Sequence, residues 1–213
     1  MDDFIAAPGL ADPRPLAAFC LAVEQAVACR GQSEDAADEA ARAFPALLAD
    51  DRWLAGPWQR ADARTYQQHR LYIDPAERFS VVSFVWGPGQ LTPIHDHGVW
   101  GVIGMLRGAE QAQRFRPGDR GRLEPVGASR LMRPGEVDLL KPSEGDIHRV
   151  ANALGDRVSI SIHVYGADIG KVRRRSFSED GEPQSFVSGY SDVPPALMRL
   201  DDGRAQYAEG PPA

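Results

Sequence analysis

Imidazole is the side chain that most often binds a divalent metal at neutral pH, and two of the five histidines here flank one aspartate in Pro93-Ile94-His95-Asp96-His97. In an extended segment, residues two apart point to the same face, so both rings can reach one point. Such a pair serves either as part of a metal site or as a hydrogen-bonded core pair, and the spacing alone leaves both open. The same alternation recurs in Ser161-Ile162-His163-Val164-Tyr165, which puts a hydroxyl, an imidazole and a phenol on one side. Taken by itself, that side reads as the polar outer face of an amphipathic strand. Two further polar runs stand out, Gln67-Gln68-His69-Arg70 and Arg173-Arg174-Arg175. The plain reading of the second is a solvated basic turn.

The elements that must position these groups fall into three parts. Residues 1–64 are the first part, rich in Ala and Leu from about Pro13 to Arg60. Within them, Pro13 and Pro15 open a helix that Gly31 stops, Ser33 is placed to cap a second helix running to about Ala43, and a short third surrounds Leu47 and Leu48. Residues 65–192 change to short runs of Val, Ile and Phe cut by Gly and Pro. Phe79–Trp86, Gly101–Leu106, Val137–Leu140 and Val158–Tyr165 have the length and boundaries of strands, and so many in succession predict an all-β sandwich or barrel. Residues 193–213 form a Pro-, Asp- and Gly-rich tail expected to wrap or fray. One structural domain, a β unit with an N-terminal helical cap, is the economical organisation.

Composition narrows the function classes. The chain has 213 residues, enough for one well-cored domain, with 43% hydrophobic and 25% charged residues and a formal net charge of −6. No basic cluster is long enough to track a phosphate backbone, so nucleic acid is not an expected partner. No stretch reaches the length of a membrane-spanning helix, and the acidic Met1-Asp2-Asp3 start lacks the charged and apolar regions of a signal peptide. The only cysteines, Cys20 and Cys29, lie on one expected helix about 13.5 Å apart in rise, beyond the reach of a disulfide. Free thiols suit a reducing compartment, so a cytoplasmic protein, monomeric or weakly self-associating, is expected.

Reading outward from the histidine pair gives Gly89, five residues, His95, one residue, His97, three residues, Gly101, six residues, Gly108. This resembles the first sequence motif of the cupin superfamily, with Gly101 where many cupins carry a metal-binding Glu. Pro142-Ser143-Glu144-Gly145-Asp146-Ile147-His148-Arg149-Val150-Ala151-Asn152 resembles the second motif, and its turn would swing His148 into the barrel opposite the first pair. The resemblance implies a single cupin barrel (a double-stranded β-helix, or jelly-roll) with His95, His97 and His148 as metal ligands. Without the Glu, three neutral imidazoles leave a divalent metal its full charge, which favours anionic ligands and a thiolate above all.

Ser161, His163 and Tyr165 extend the resemblance to the cysteine dioxygenase family of thiol dioxygenases, across about Tyr66 to Tyr190. That family implies one Fe(II) per chain, and a small carboxylated thiol and O2 as partners, joined into a sulfinate with both oxygen atoms on sulfur. It also implies a Ser-His-Tyr relay in which Tyr165 donates toward the substrate or oxygen while His163 and Ser161 orient it. Two departures matter. Where mammalian members have a cysteine crosslinked to the relay tyrosine, this chain has Gly101, so Tyr165 is expected unmodified. Where cysteine dioxygenases clamp the substrate carboxylate with an early-strand arginine, this chain has Tyr66-Gln67-Gln68-His69-Arg70, which resembles the glutamine-bearing bacterial branch that prefers 3-mercaptopropionate over L-cysteine. Gln68 is the expected substrate-facing residue, with Gln67 as the alternative and Arg70 if the strand slips by two. Arg174 resembles the family's auxiliary carboxylate-binding arginine. His69 is left as a structural residue or one backing the ligand set. The competing readings are a zinc or manganese cupin isomerase or hydrolase, and a non-catalytic ligand-binding cupin.

Overall fold

A computed structural model describes residues 11–54 and 56–191, together with the backbone of two short strands at 199–201 and 204–206. Helix α1 spans Arg14–Arg30, α2 Asp35–Ala41 and α3 Phe44–Leu48. Pro15 lies in the first turn of α1, where its missing N–H costs nothing, and the Gly31 N–H closes the other end on the Val27 carbonyl. Ser33 does not cap α2 as expected. Its hydroxyl donates to the Arg30 carbonyl at 2.8 Å, and Glu34 occupies the cap position without a side-chain bond. The hydroxyl is committed to an acceptor at the end of the preceding helix.

Eleven strands follow within the described core: β1 Gln67–Ile73, β2 Ser80–Trp86, β3 Ile94–His95, β4 Gly101–Arg107, β5 Glu110–Pro117, β6 Leu123–Met132, β7 Val137–Leu140, β8 His148–Asn152, β9 Ser159–Tyr165, β10 Arg174–Phe177 and β11 Pro183–Phe186. They form two sheets, one in the order β1-β2-β9-β4-β7 and one in the order β11-β10-β3-β8-β5-β6, with every pairing antiparallel. A small hairpin, β12 Arg199–Asp201 and β13 Arg204–Gln206, lies in the C-terminal region, and the rest of the expected tail falls outside the described residues.

The five-stranded sheet is buried on both faces. Val81 and Val85 of β2, Val102 and Leu106 of β4, and Ile160, Ile162 and Val164 of β9 pack under the three helices around Phe19, Phe44 and Leu47. The opposite faces of the same strands, with Val82, Phe84, Trp86, Ile103, Met105 and Tyr165, meet Ala112, Met132 and Val150 of the six-stranded sheet. A strand covered on both sides loses the apolar–polar alternation of an open sheet. In β9 the polar residues therefore turn inward, between the sheets, rather than outward to solvent. The helices come close enough to demand glycine in β4: a Cβ at Gly104 would lie 2.2 Å from a ring carbon of Phe44.

Both cysteines are free, Cys20 buried with its thiol pKa pushed up by burial and Cys29 exposed. No helix among the described residues is long and apolar enough to cross a membrane.

Candidate metal centre

His95 ends the two-residue strand β3 and pairs directly with His148, the first residue of β8. The two therefore sit side by side in one sheet, and the expectation that His148 approaches from the opposite wall is corrected. A 3-10 turn at Pro142–Glu144 leads into Gly145, whose φ of 89° few other residues adopt easily, and delivers the chain into β8. His97 lies beyond the end of β3, so strand alternation does not place it. Asp146 does: its carboxylate accepts the His97 N–H at 2.8 Å and the Gly98 N–H at 3.3 Å. One aspartate two residues before His148 thus ties both histidine segments together.

The three rings converge, with centroids 4.8, 4.8 and 4.9 Å apart and ligand nitrogens within 4.8 Å of one another. His95 Nδ1 bonds the Pro93 carbonyl at 3.0 Å. A carbonyl only accepts, so Nδ1 carries the proton and Nε2 keeps its lone pair. Burial, the largest influence on each, pushes His95 down to about 4 and holds His97 and His148 well below the ordinary imidazole value. All three are neutral at pH 7, the form that binds a cation. Buried polar atoms without partners are costly, and His148 Nδ1 has no hydrogen bond, while His97 Nδ1 lies 3.4 Å from the Asp146 carboxylate. Metal–nitrogen bonds of about 2.1 Å would draw the cluster slightly inward. The donor set fits one divalent metal.

Against this cluster lies a hydrogen-bonded chain on the inner face of β9. Ser161 Oγ meets His163 Nε2 at 2.8 Å, and His163 Nδ1 meets the Tyr165 hydroxyl at 2.8 Å. Burial pushes His163 down to about 3 and Tyr165 upward, so both are neutral. The Tyr165 ring stacks on His97 with centroids 5.6 Å apart, and Phe84 lies over His163 at 4.3 Å. Gly101 backs the tyrosine: a Cβ there would stand 2.9 Å from the Tyr165 ring.

A cavity opens onto these groups, lined by Tyr66, Gln68, Phe84, Trp86, His95, His148, His163, Tyr165, Arg174 and Ser188 among others. Gln68 Nε2 donates to Ser188 Oγ at 3.2 Å and to the Gly189 carbonyl at 3.1 Å, and Arg174 Nη2 donates to the same Ser188 Oγ at 2.5 Å. Arg174 is buried, has no ion-pair partner among the described residues, and its Nε has no hydrogen bond. Gln67 does not line the cavity, because alternation turns it away and its amide donates to the Thr65 carbonyl. Nor does Arg70, whose guanidinium lies over the Tyr190 ring at 5.6 Å.

The arginine run is not one solvated turn. Arg173 is exposed, Arg174 points into the cavity, and Arg175 donates from its N–H and its Nε to Asp96 at 2.7 and 2.6 Å. His69 is buried away from the cavity with neither ring nitrogen bonded, beside its ladder partner Ser83. Sequence reasoning missed Asp96, Asp146 and Ser188. Asp96 and Asp146 could have been suspected as acidic residues inside the histidine motifs, whereas nothing local marks Ser188.

No family model matches the chain. Solved structures similar to it include a protein with a double-stranded β-helix domain from Klebsiella pneumoniae, 17% identical over 52% of this chain and 84% of that one, with a TM-score of 0.41. A cupin superfamily protein from Desulfitobacterium hafniense is 13% identical over 51% and 84%, with a TM-score of 0.39. An oxalate oxidase in complex with the substrate analogue glycolate is 19% identical over 55% and 61%, with a TM-score of 0.40.

Proposed function

We propose that this chain is a cupin-type thiol dioxygenase that holds one Fe(II) on His95, His97 and His148 and converts a small carboxylated thiol, 3-mercaptopropionate above all, to its sulfinate. The observation that carries this reading is convergence on one cavity. His95 and His148 of the three-imidazole cluster, a tyrosine at the end of a hydrogen-bonded relay, and a buried guanidinium without a counter-ion line it, and His97 completes the cluster beside them.

Bound iron would supply thiolate activation and the coupling of sulfur to O2, chemistry that no side chain here performs. No carboxylate joins the histidine cluster among the described residues, so the protein leaves the cation's charge undiminished toward an incoming thiolate. A buried arginine without an anion is costly, and the substrate carboxylate satisfies it. Gln68 brings a neutral amide, weaker than a second arginine and indifferent to an α-amino group; its Nε2 donates to Ser188 Oγ and the Gly189 carbonyl, and would turn to the substrate by giving up one of these. Tyr165 stands against the ligand cluster with its hydroxyl held by His163, placed to donate to an oxygen atom forming there. Phe84, Trp86 and Tyr66 give the cavity apolar walls that limit water.

The test is oxygen uptake by iron-loaded protein with 3-mercaptopropionate, mercaptosuccinate and L-cysteine at one pH. The expected kcat/KM for 3-mercaptopropionate exceeds that for L-cysteine by at least about tenfold, or ~1.4 kcal/mol. Uptake with none of the thiols, in protein that retains stoichiometric zinc or manganese instead, would move the chain to another class of metal-binding cupin.

A further inference from the structure

Strand β3 stops after two residues although β10 runs on past it. Ile94 pairs with Phe177 and His95 with Ser176, so an unbroken antiparallel ladder would next oppose Asp96 to Arg175 and exchange two backbone hydrogen bonds between them. Half of that pair forms in the ordinary way, the Asp96 N–H donating to the Arg175 carbonyl at 3.0 Å. In the other half the Arg175 N–H donates to Asp96 Oδ1 at 2.7 Å, so a side-chain carboxylate fills the place of the backbone carbonyl. Arg175 Nε donates to Oδ2 at 2.6 Å and closes a joint of three bonds. Asp96 is buried, and the Arg175 side chain reaches it from the surface. The chain leaves the ladder at this point, and the next N–H, that of His97, goes to Asp146 instead. The joint therefore has a metal-ligand candidate on each side of its acid. Next to its base stands Arg174, which strand alternation sends the opposite way, into the cavity.

We propose that the Asp96–Arg175 joint sets the span between the histidine cluster and the Arg174 guanidinium, and so selects the chain length of the mercapto acid that bridges them. This deepens the thiol dioxygenase reading and rests on it for the two ends of the substrate, sulfur at the metal and carboxylate at Arg174. Asp96 and Arg175 touch no substrate; they are positioning residues acting through His95, His97 and Arg174. The span needs such a fastening. The ladder pairs Ile94–Phe177 and His95–Ser176 join β10 to the ligand strand, and on its far side lies β11, the edge of the sheet. Charge-assisted bonds from an ionised pair hold β10 against β3 more firmly than neutral ones. A ligand gripped at both ends binds best when its own length matches the distance between the grips. With one methylene too few the carboxylate falls short of Arg174, and with one too many the chain must buckle inside the cavity.

The full chain loaded with Co(II) tests this without turnover, because thiolate-to-cobalt charge-transfer absorption reports binding in the absence of O2. Mercaptoacetate, 3-mercaptopropionate and 4-mercaptobutyrate are titrated in, beside 1-propanethiol, which has no carboxylate. In the wild type 3-mercaptopropionate should bind at least about tenfold more tightly than either neighbour in the series. Asp96→Asn keeps an oxygen for the Arg175 N–H but loses the charge that holds Nε. Its preference should shrink to about threefold or less, while propanethiol affinity and cobalt content stay at their wild-type values. A merely structural loosening of the histidine cluster would weaken propanethiol as well. Arg175→Met, made at an exposed side chain, should reproduce the loss of preference, and the double variant should be no worse than Asp96→Asn alone. An undiminished preference in either single variant, a loss of propanethiol binding or of cobalt, or a wild type indifferent to chain length overturns the proposal. The expected binding pattern in protein that oxidises none of these thiols when loaded with iron leaves the joint standing and overturns the thiol dioxygenase reading instead.

Discussion

Tyr165 occupies the most constrained position in the site, with His97 on one face, Gly101 against its ring and His163 on its hydroxyl. A side chain so held delivers one hydrogen bond at a fixed point, and removing the hydroxyl should leave everything else in place. Tyr165→Phe is expected to keep stoichiometric iron and substrate binding while lowering kcat by ~10²-fold or more, the usual worth of one preorganised donor. Steady-state kinetics beside metal analysis checks it, and unchanged kcat would remove the tyrosine from the chemistry. At this scale the sequence was most legible where residue types are rare: the three site histidines carry distinctive spacings. It was least legible where a common residue acquires its role by distant contact. Ser188 meets Gln68 and Arg174 across 120 and 14 positions of chain, and no local pattern encodes such a meeting.

Among the elements, β9 shows how reading periodicity succeeds and fails together. Ser-Ile-Ser-Ile-His-Val-Tyr alternates as a strand should, but which face is solvent cannot be read from the alternation. The helices decide it, because Ile160, Ile162 and Val164 pack beneath them and force the polar face inward. The short β3 failed differently: two residues apart suggested one strand face, whereas the strand ends at His95 and Asp146 holds His97 instead. If the helical cap fixes the sheet that carries the relay, loosening it should cost as much as a core deletion. Phe44, fully buried above Gly104, is the joint. Phe44→Ala should destabilise the protein by about 3–5 kcal/mol in urea unfolding monitored by tryptophan fluorescence. A cost below 1 kcal/mol would mean that the cap is dispensable.

For the whole molecule, two layers of buried polar groups make stability depend on pH in a way the net charge of −6 does not foretell. His163 is depressed from 6.5 to about 3, so the unfolded chain binds its proton first and stability falls as pH drops below 6.5. Glu110 is raised from 4.5 to about 8, so the unfolded chain ionises first and stability falls as pH rises from 4.5 toward 8. Between 4.5 and 6.5 the glutamate's slope is opposed by those of His163 and of His95, His97 and His148, which burial depresses in the same direction. Above 6.5 the glutamate acts alone, at ~1.4 kcal/mol per pH unit. Wild type should therefore lose about 2 kcal/mol more than Glu110→Gln between pH 6.5 and pH 8, as read by urea unfolding; equal losses would place an ionised carboxylate at Glu110. What the cavity does with sulfur and oxygen is a separate matter, and one measurement addresses it directly. Iron-loaded protein is given 3-mercaptopropionate under isotopically labelled O2, and the product is weighed by mass spectrometry, with His148→Ala treated in parallel. The account predicts a sulfinate carrying two labelled oxygen atoms from the wild type and none from the variant, which should also fail to retain iron. A disulfide as the only product, a single labelled oxygen, or undiminished sulfinate from His148→Ala would contradict it.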